Sequence, residues 1–243
     1  MAEVDVSIFN DVLGPVITGP SSSGTAGAMR VTRMALKFMP DFRKAQINVN
    51  EHTSRTLQGL KTGVAYAAGL LDFEVDDPRI ADARKIAASK GLEIAYAIKD
   101  FPEDKYPEYT GQVEVVLENG RGNKVTILGA SIGGGMAKLL EINGIPISMR
   151  GSAFEIMVYA KHRIAEEFVK KIQAIVSEKT VIIGDTKIND EKGSIYELWI
   201  EDKLNLETEK KLKALGIEND AEIYFFDAIL TVSEKKQIGR AHV

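Results

Sequence analysis

Apolar residues recur along the first half of the chain at spacings that predict separate strands and helices. Residues 44–50 place Ala45, Ile47 and Val49 between polar neighbours, which is the period of a half-buried strand. A helix is expected to begin after Thr25 and to end at Pro40, because proline cannot continue a helix. The same criteria predict strands at residues 93–98, 112–117 and 124–128 and helices at residues 53–70 and 76–90.

A cluster of turn-forming residues separates this region from a second pattern. Gly144, Pro146 and Gly151 interrupt the chain between residues 143 and 152, where we place a domain boundary. Strands are predicted at residues 154–160, 180–188, 195–201 and 222–230, and helices at residues 164–177 and 206–215. The order is βαββαβ, a ferredoxin-like plan. We therefore predict an α+β protein with domains at residues 1–147 and 148–232 and a disordered tail at residues 233–243.

The composition restricts the chemistry that the chain can perform. The 243 residues, 44% of them hydrophobic and 27% charged, suffice for one large core or two smaller ones. The absence of cysteine excludes disulfides, thiol nucleophiles and iron–sulfur clusters held by this chain. The net charge of −4, with Lys and Arg scattered, argues against nucleic acid. Residues 1–11 lack a signal-peptide pattern and no apolar run reaches membrane-spanning length, so we expect a cytoplasmic protein outside the membrane.

A run of hydroxyl side chains precedes the first predicted helix. Ser21, Ser22, Ser23 and Thr25 are expected in a loop at the helix start, where hydroxyls and free backbone N–H groups could bind a carboxylate or phosphate. The alternative is simple helix capping. Arg30, farther along the helix, could pair with an anion or face solvent, and the residues alone favour solvent.

A second candidate ligand site follows the predicted strand at residues 124–128. The glycines of the segment 131–135 would let a ligand approach Ser131, Gly133 and Gly134 closely, although a structural turn is the favoured interpretation. The segment has the spacing of neither a Walker loop nor a dinucleotide-binding fingerprint.

No set of residues predicts a catalytic or metal-binding role for this chain alone. His52, His162 and His242 are the only histidines, and no two of them have metal-ligand spacing. The carboxylate pairs lack a positioned partner. Five aromatic residues on predicted strands favour core packing, or a face between copies of the chain, over a base-stacking RNA platform. They are Tyr196, Trp199, Tyr224, Phe225 and Phe226.

Several segments share a distinctive set of glycine, proline and hydroxyl residues. They are Ile8-Phe9, Gly14-Pro15-Val16, Gly19 to Ser23, Thr25 to Ala28 with Arg30, Ala68 to Leu71 with Phe73, Asp76 to Ile80, Lys90 to Ile94 and Gly129 to Gly135. Together they resemble the β subunit of bacterial iron–sulfur-dependent L-serine dehydratases. The resemblance is strong to about Ile142 and weaker beyond, where the chain is similar to the ACT regulatory domain of many such subunits.

The resemblance implies a fold and a division of labour between chains. Residues 1–147 would form a serine dehydratase β-type domain of the allosteric substrate-binding kind, and residues 148–232 a degenerate ACT-like domain. The family converts L-serine into pyruvate and ammonia, in amino-acid metabolism and gluconeogenesis. Its [4Fe–4S] cluster, acting as a Lewis acid, would lie on a separate α subunit. This chain would then be an accessory or regulatory subunit without a cofactor, partnered by the α subunit and by further copies of itself.

The chain departs from the family pattern at polar positions. Gly24 replaces the histidine of Ser-Ser-Ser-His-Thr, and residues 59–63 lack the histidine and aspartate of Gly-His-Gly-Thr-Asp. The motif His-Pro-Asn-Thr leaves at most Thr110. Residues 161–163, Lys-His-Arg, replace the acidic residue and glycine that meet an amino-acid effector in ACT domains. These cationic residues would suit an anion instead, although a solvated loop is favoured. These departures suggest a retained fold with a ligand site that has changed or been lost, as in a divergent paralogue.

Three functional hypotheses follow from the sequence. The first is the β subunit of an L-serine dehydratase. The second is a stand-alone homo-oligomeric protein that binds a small anion or an amino acid without catalysis. The third, an RNA-binding module, rests only on the βαββαβ plan and is opposed by the charge.

Overall fold

The computed structural model describes residues 22–51, 53–55, 62–102, 105–109, 111–151 and 153–228. They form two compact units, the first ending at Ile142 and the second beginning at Asn143. Both units combine helices with strands, so the predicted mixed α+β class is confirmed. The predicted tail at residues 233–243 lies outside the described residues. Within the described ranges, no helix has the length and apolar character needed to cross a membrane.

The first unit packs its helices on one face of a mainly antiparallel sheet. Its strands run in the order β2-β1-β3-β4-β5, with β1 and β2 parallel and the other neighbours antiparallel. The strands are β1 Phe42–Val49, β2 Glu93–Ile98, β3 Gln112–Asn119, β4 Lys124–Gly133 and β5 Met136–Ile142. A π-helical turn at Ser22–Gly27 leads into helix α1 at Ala28–Leu36, followed by α2 at Thr62–Leu70, a 3₁₀ turn at Pro78–Asp82 and α3 at Ala83–Ser89.

Local sequence signals explain several of these boundaries. The predicted alternation puts Ala45, Ile47 and Val49 of β1 into the core. Asp77 caps the 3₁₀ turn, its Oδ1 accepting a hydrogen bond from the backbone N–H of Arg79 at 2.8 Å. Gly91 has φ of +70° just after α3, as expected for a glycine that ends a helix.

The opposite face of the first sheet is covered by the chain between β2 and β3. Tyr106 donates a hydrogen bond to Oε1 of the buried Glu141 at 2.9 Å, and Oε1 of Glu141 is 2.5 Å from Nζ of Lys105. Burial, reinforced by the bond to Glu141, raises the pKa of Tyr106. Aromatic side chains of this segment pack on three buried residues of β4 and β5: Leu128, Ala130 and Leu140.

Two strands were not predicted from the sequence. β5 and the following β6, Ile145–Met149, are joined to their neighbours by short glycine turns at residues 134–135 and 143–144. The sequence favours a structural turn at the first of these positions, with a ligand loop as the alternative, and places the second in a domain boundary. β5 buries residues on both faces, so it lacks the alternation that identifies a half-buried strand.

The second unit places two helices on one face of a four-stranded sheet. After β6 the elements are β7 Phe154–Ala160, α4 Glu166–Ser177, β8 Ile182–Asp190, β9 Gly193–Ile200, α5 Leu206–Glu218 and β10 Ala221–Phe226. The strands run antiparallel in the order β10-β7-β9-β8. Every predicted element of this region lies within a few residues of an observed one.

The close approach of α1 to α2 generates a prediction for Gly69. A Cβ at this position would lie 2.1 Å from the carbonyl oxygen of Met29 and 2.1 Å from Oγ1 of Thr32. Alanine gains about 1 kcal/mol of helix propensity over glycine. The clash outweighs this gain, because a backbone carbonyl cannot rotate away. We expect Gly69→Ala to lower the free energy of unfolding by about 2 kcal/mol.

Urea denaturation measures this difference, and Gly120→Ala is the matched control. The nearest atom to a Cβ at Gly120 is Cγ of Arg43 at 3.8 Å, an ordinary contact. We expect this variant to stay within about 0.5 kcal/mol of the parent. Equal midpoints for the two variants would contradict the close helix packing.

Candidate functional site

The serine-rich segment is helical rather than a loop. Residues 22–27 form a π-helical turn that continues directly into α1, so the predicted loop is wrong for this part of the segment. The turn packs on β4 and β5, and small residues such as Ala26 and Gly27 let it lie close to the sheet. Tertiary contact therefore overrides the local preference of serine and glycine for a loop. Ser21 and the side chains of Ser22 and Ser23 lie outside the described residues.

Gly27 brings the π-helical turn directly against Ser131. A Cβ at Gly27 would lie 2.1 Å from Oγ of Ser131 and 3.2 Å from the carbonyl oxygen of Met136. Only a residue without a side chain fits there unless Ser131 moves. The two serine-containing segments that the sequence identified as separate candidates are thus in direct contact.

Each of these two segments has one hydroxyl group that lacks a hydrogen-bond partner among the described residues. Oγ1 of Thr25 and Oγ of Ser131 are buried, and neither has a partner among the described residues. Thr25 as a whole is only 4% exposed. A buried hydroxyl without a partner costs about 1–3 kcal/mol. Such groups are candidates for binding a ligand that would supply the missing acceptor or donor.

Arg30 is buried, so the prediction that it faces solvent is wrong. It is 1% exposed, and its Nη1 donates to the carbonyl oxygen of Gly135 at 2.8 Å. Arg30 lies three residues after Gly27 and therefore on the same helix face, toward the turn between β4 and β5. Its positive charge is therefore buried next to the turn between β4 and β5 instead of lying in solvent.

The glycine segment forms a tight turn between β4 and β5. Gly133, Gly134 and Gly135 have φ values of +96°, +57° and +81°, a conformation that other residues rarely adopt. The favoured interpretation as a structural turn is correct. Direct contact of Gly133 or Gly134 with a ligand stays a prediction.

Two further segments reach the same site. The first residues of α2, Thr62 and Gly63, are buried, and α2 packs against the π-helical turn. Tyr96 fixes this end of α2 by donating to the carbonyl oxygen of Gly63 at 2.5 Å, and burial raises the pKa of Tyr96 to about 12. Gly111 lies beside the backbone of Ser131, since a Cβ there would be 3.5 Å from the Ser131 carbonyl oxygen.

Two of the three departures from the family pattern lie in segments that contact each other: Gly24 is in the π-helical turn, and Gly63 is at the start of α2, which packs on that turn. The third departure precedes Thr110, where Tyr106 and Tyr109 pack on the opposite face of the sheet. Thr110 and Leu60 themselves lie outside the described residues. Hydroxyl residues of the pattern, Thr25 and Thr62, remain at this site, while its ionisable residues have been replaced.

The remaining candidate residues lie where a solvated loop or core packing would place them. Lys161, His162 and Arg163 are exposed, as expected for a solvated loop. Tyr196 and Phe226 are buried, and Phe225 packs against the core of the second unit. His52 and His242 lie outside the described residues. Within the described ranges, no group of three or more His, Asp or Glu side chains could hold a metal ion.

Sequence analysis missed two buried carboxylates in the second unit. Glu155 is 3% exposed and Glu197 is 1% exposed, although both belong to the most polar class of side chains. Each stands alone in an apolar strand, Phe154–Ala160 and Gly193–Ile200. An isolated acid flanked by apolar residues on both sides is the signal that could have identified them.

Comparison with known proteins agrees with the resemblance seen in the sequence. No protein-family model matches the chain. It is 31% identical over 216 residues to the L-serine dehydratase, beta chain, of Peptoniphilus asaccharolyticus, covering 88% of this chain and 95% of that protein. It is 35% identical over 153 residues to the probable L-serine dehydratase, beta chain, of Bacillus subtilis (strain 168), covering 63% of this chain and 67% of that protein. The chain therefore belongs to the family of L-serine dehydratase β chains.

Proposed function

We propose that this chain is the β subunit of an L-serine dehydratase and assembles with a separate α subunit to convert L-serine into pyruvate and ammonia. The observation that carries the proposal is the similarity to a named β chain over 95% of that protein's length. The contact between Gly27 and Ser131 gives independent support, because it joins two motif segments that are far apart in the sequence.

The iron–sulfur cluster of the proposed enzyme belongs to the α subunit. This chain has no cysteine, so it has no thiolate with which to hold a [4Fe–4S] cluster. On the partner, such a cluster would supply a Lewis acid for the hydroxyl group of serine. The role of this chain is then to bind or position a ligand, or to regulate the enzyme.

The site beneath the π-helical turn is the proposed ligand site of this subunit. The hydroxyls of Thr25 and Ser131 can each donate a hydrogen bond to a carboxylate or another anion. Arg30 places a positive charge behind them. Ser21, Ser22 and Ser23 would extend the site at the helix start, and Gly133 and Gly134 at the hairpin turn. A small anion or an amino acid fits this set of donors.

The second unit is proposed to be an ACT-type regulatory domain that follows a domain of the allosteric substrate-binding kind. The strand order β10-β7-β9-β8 and the element order βαββαβ support this assignment. The edge strand β8 exposes Ile183, and Val181 just before it is also exposed. Apolar groups on a sheet edge favour pairing between copies of the chain.

Assembly with the α subunit is the first test. We expect the chain, co-expressed anaerobically with an α subunit from the same organism, to purify as a stable complex that forms pyruvate from L-serine. Each subunit alone is the control, and we expect neither to form pyruvate. Failure to form a complex, combined with ligand binding by the isolated chain, would instead establish the stand-alone binding protein.

The second test separates a ligand-binding hydroxyl from a structural one. Thr25→Val removes a buried hydroxyl without a partner, so we expect the free energy of unfolding of the ligand-free chain to rise by about 1 kcal/mol. The matched control is Thr32→Val, because the hydroxyl of Thr32 donates to the carbonyl oxygen of Met29 at 3.0 Å. We expect the control to lose about 1 kcal/mol.

The same variants are then assayed in the complex. We expect Thr25→Val to lower kcat/KM for L-serine by about tenfold, the effect of losing one hydrogen bond to a charged group. Thr32→Val should leave kcat/KM unchanged. Loss of stability in both variants, with no change in kcat/KM in either, would assign Thr25 to the scaffold and not to the site.

A further inference from the structure

The second unit contains two buried carboxylates on the same face of its sheet. Glu155 of β7 lies opposite Trp199 of β9, and Glu197 of β9 lies opposite Met157 of β7. Residues paired directly across an antiparallel ladder point to the same side, so all four share one face. Glu155 and Glu197 are therefore diagonal neighbours on that face.

This face is opposite the one that packs on the helices. The intervening strand residues, such as Ile156, Tyr196 and Leu198, belong to the core formed with α4 and α5. Glu155 and Glu197 are instead 3% and 1% exposed on the helix-free face. Their burial needs a separate explanation, because acidic residues are rarely buried without partners.

Backbone amides at the end of β6 and just after it contact both carboxylates. The N–H of Gly151 donates to Oε1 of Glu155 at 3.1 Å. The N–H of Ser148 donates to Oε1 and Oε2 of Glu197, at 3.1 and 3.4 Å. Residues 148–151 comprise the last two residues of β6 and the first two after it, and two side chains from adjacent strands of the sheet thus hold them in place. We call residues 148–151 the connector.

Glu155 is the less well compensated of the two acids. Its Oε2 is buried and has no hydrogen-bond partner among the described residues. Burial raises the pKa of Glu155 to about 8, repulsion by Glu197 adds to this shift, and the amides of Gly151 and Arg150 oppose it. One buried pair of carboxylates cannot easily carry two negative charges.

The other groups around Glu155 in the second unit do not supply a compensating charge. Trp199 of β9 and Phe226 of β10 lie directly opposite Glu155 and are uncharged. Arg150 of the connector contributes through its backbone, and its side chain is exposed. Glu222 of β10 lies farther along the same face and accepts a hydrogen bond from Tyr224. Glu197 is thus the charge that Glu155 faces.

We propose that Glu155 and Glu197 act together as a pH-sensitive clasp on the connector, with Glu155 protonated and Glu197 ionised in the closed state. With Glu155 protonated, the pair carries one negative charge and both amide contacts are satisfied. Ionisation of Glu155 places a second charge beside Glu197, and access of water through opening of the connector relieves it. This proposal concerns the second unit alone and does not depend on the proposed enzymatic function.

The direction of the pH dependence follows from the raised pKa of Glu155. The pKa rises from 4.5 to about 8 on folding, so the folded chain binds more protons than the unfolded chain between these values. The contribution of this group to stability is therefore complete below pH 4.5 and is lost as the pH rises through about 8.

Amide hydrogen exchange of the full-length chain between pH 7 and pH 9 tests the clasp. The quantity is the protection of the Ser148 and Gly151 amides, corrected for the intrinsic pH dependence of exchange. We expect protection in the parent to fall by about tenfold over this range, since the neutral fraction of an acid falls tenfold per unit above its pKa. In Glu155→Gln protection should stay constant, because the amide is neutral and its carbonyl still accepts from Gly151.

Two further variants make the outcome decisive. Glu191→Gln changes an exposed turn residue and should behave as the parent does. Glu197→Gln leaves Glu155 as the only carboxylate of the pair, so ionisation of Glu155 adds no second charge. The loss of protection between pH 7 and pH 9 should therefore be smaller than in the parent, and this variant carries the test if Glu155→Gln does not fold. Constant protection in the parent, or the same loss in parent and Glu155→Gln, overturns the clasp. A loss in Glu197→Gln equal to that in the parent overturns the coupling of the two carboxylates.

Discussion

The position of the helix that runs from Ser22 to Leu36 depends on facing positions that have no side chain. A Cβ at Gly69 would clash with the carbonyl oxygen of Met29, and a Cβ at Gly129 would lie 2.7 Å from Cγ1 of Val31. The helix therefore lies closer to α2 and β4 than larger residues would allow. Because interiors are close-packed, a shift of this helix would move everything attached to it. The site beneath the π-helical turn is the part most directly attached.

Close packing of this helix also explains why the site has buried polar groups. Thr25 and Arg30 belong to a helix that packs against β4 and β5, and both are removed from water together with the apolar residues beside them. Arg30 donates a hydrogen bond to the carbonyl oxygen of Gly135, which replaces its lost contact with water and holds the hairpin turn. The hydroxyls of Thr25 and Ser131 have no hydrogen-bond partner among the described residues. Unfavourable polar burial of this kind is typical of sites where binding takes precedence over stability.

The sequence predicted best the strands whose alternation of apolar and polar residues is visible within the strand itself. The alternation at residues 44–50 predicted β1, and residues 93–98 were predicted as the strand that the structure contains. β5 was missed because it is buried on both faces and has no alternation. The contact between Gly27 and Ser131 could not be predicted, since no spacing rule relates residues a hundred positions apart. The burial of Arg30 has the same cause, because it depends on a hairpin turn that the sequence did not identify as its neighbour.

The chemistry that remains at the site limits what this chain can contribute to a dehydration. Removal of water from serine requires a group that takes a proton from carbon, and such a base must change its protonation near neutral pH. Hydroxyl groups do not titrate in that range, and an arginine side chain keeps its charge in proteins. The described residues of the site offer Thr25, Ser131 and Arg30, which can donate hydrogen bonds and neutralise an anion. Of the three histidines in the family motifs, two fall at Gly24 and Leu60, and the third precedes Thr110. The described residues of this site are therefore suited to binding an anion and not to proton transfer.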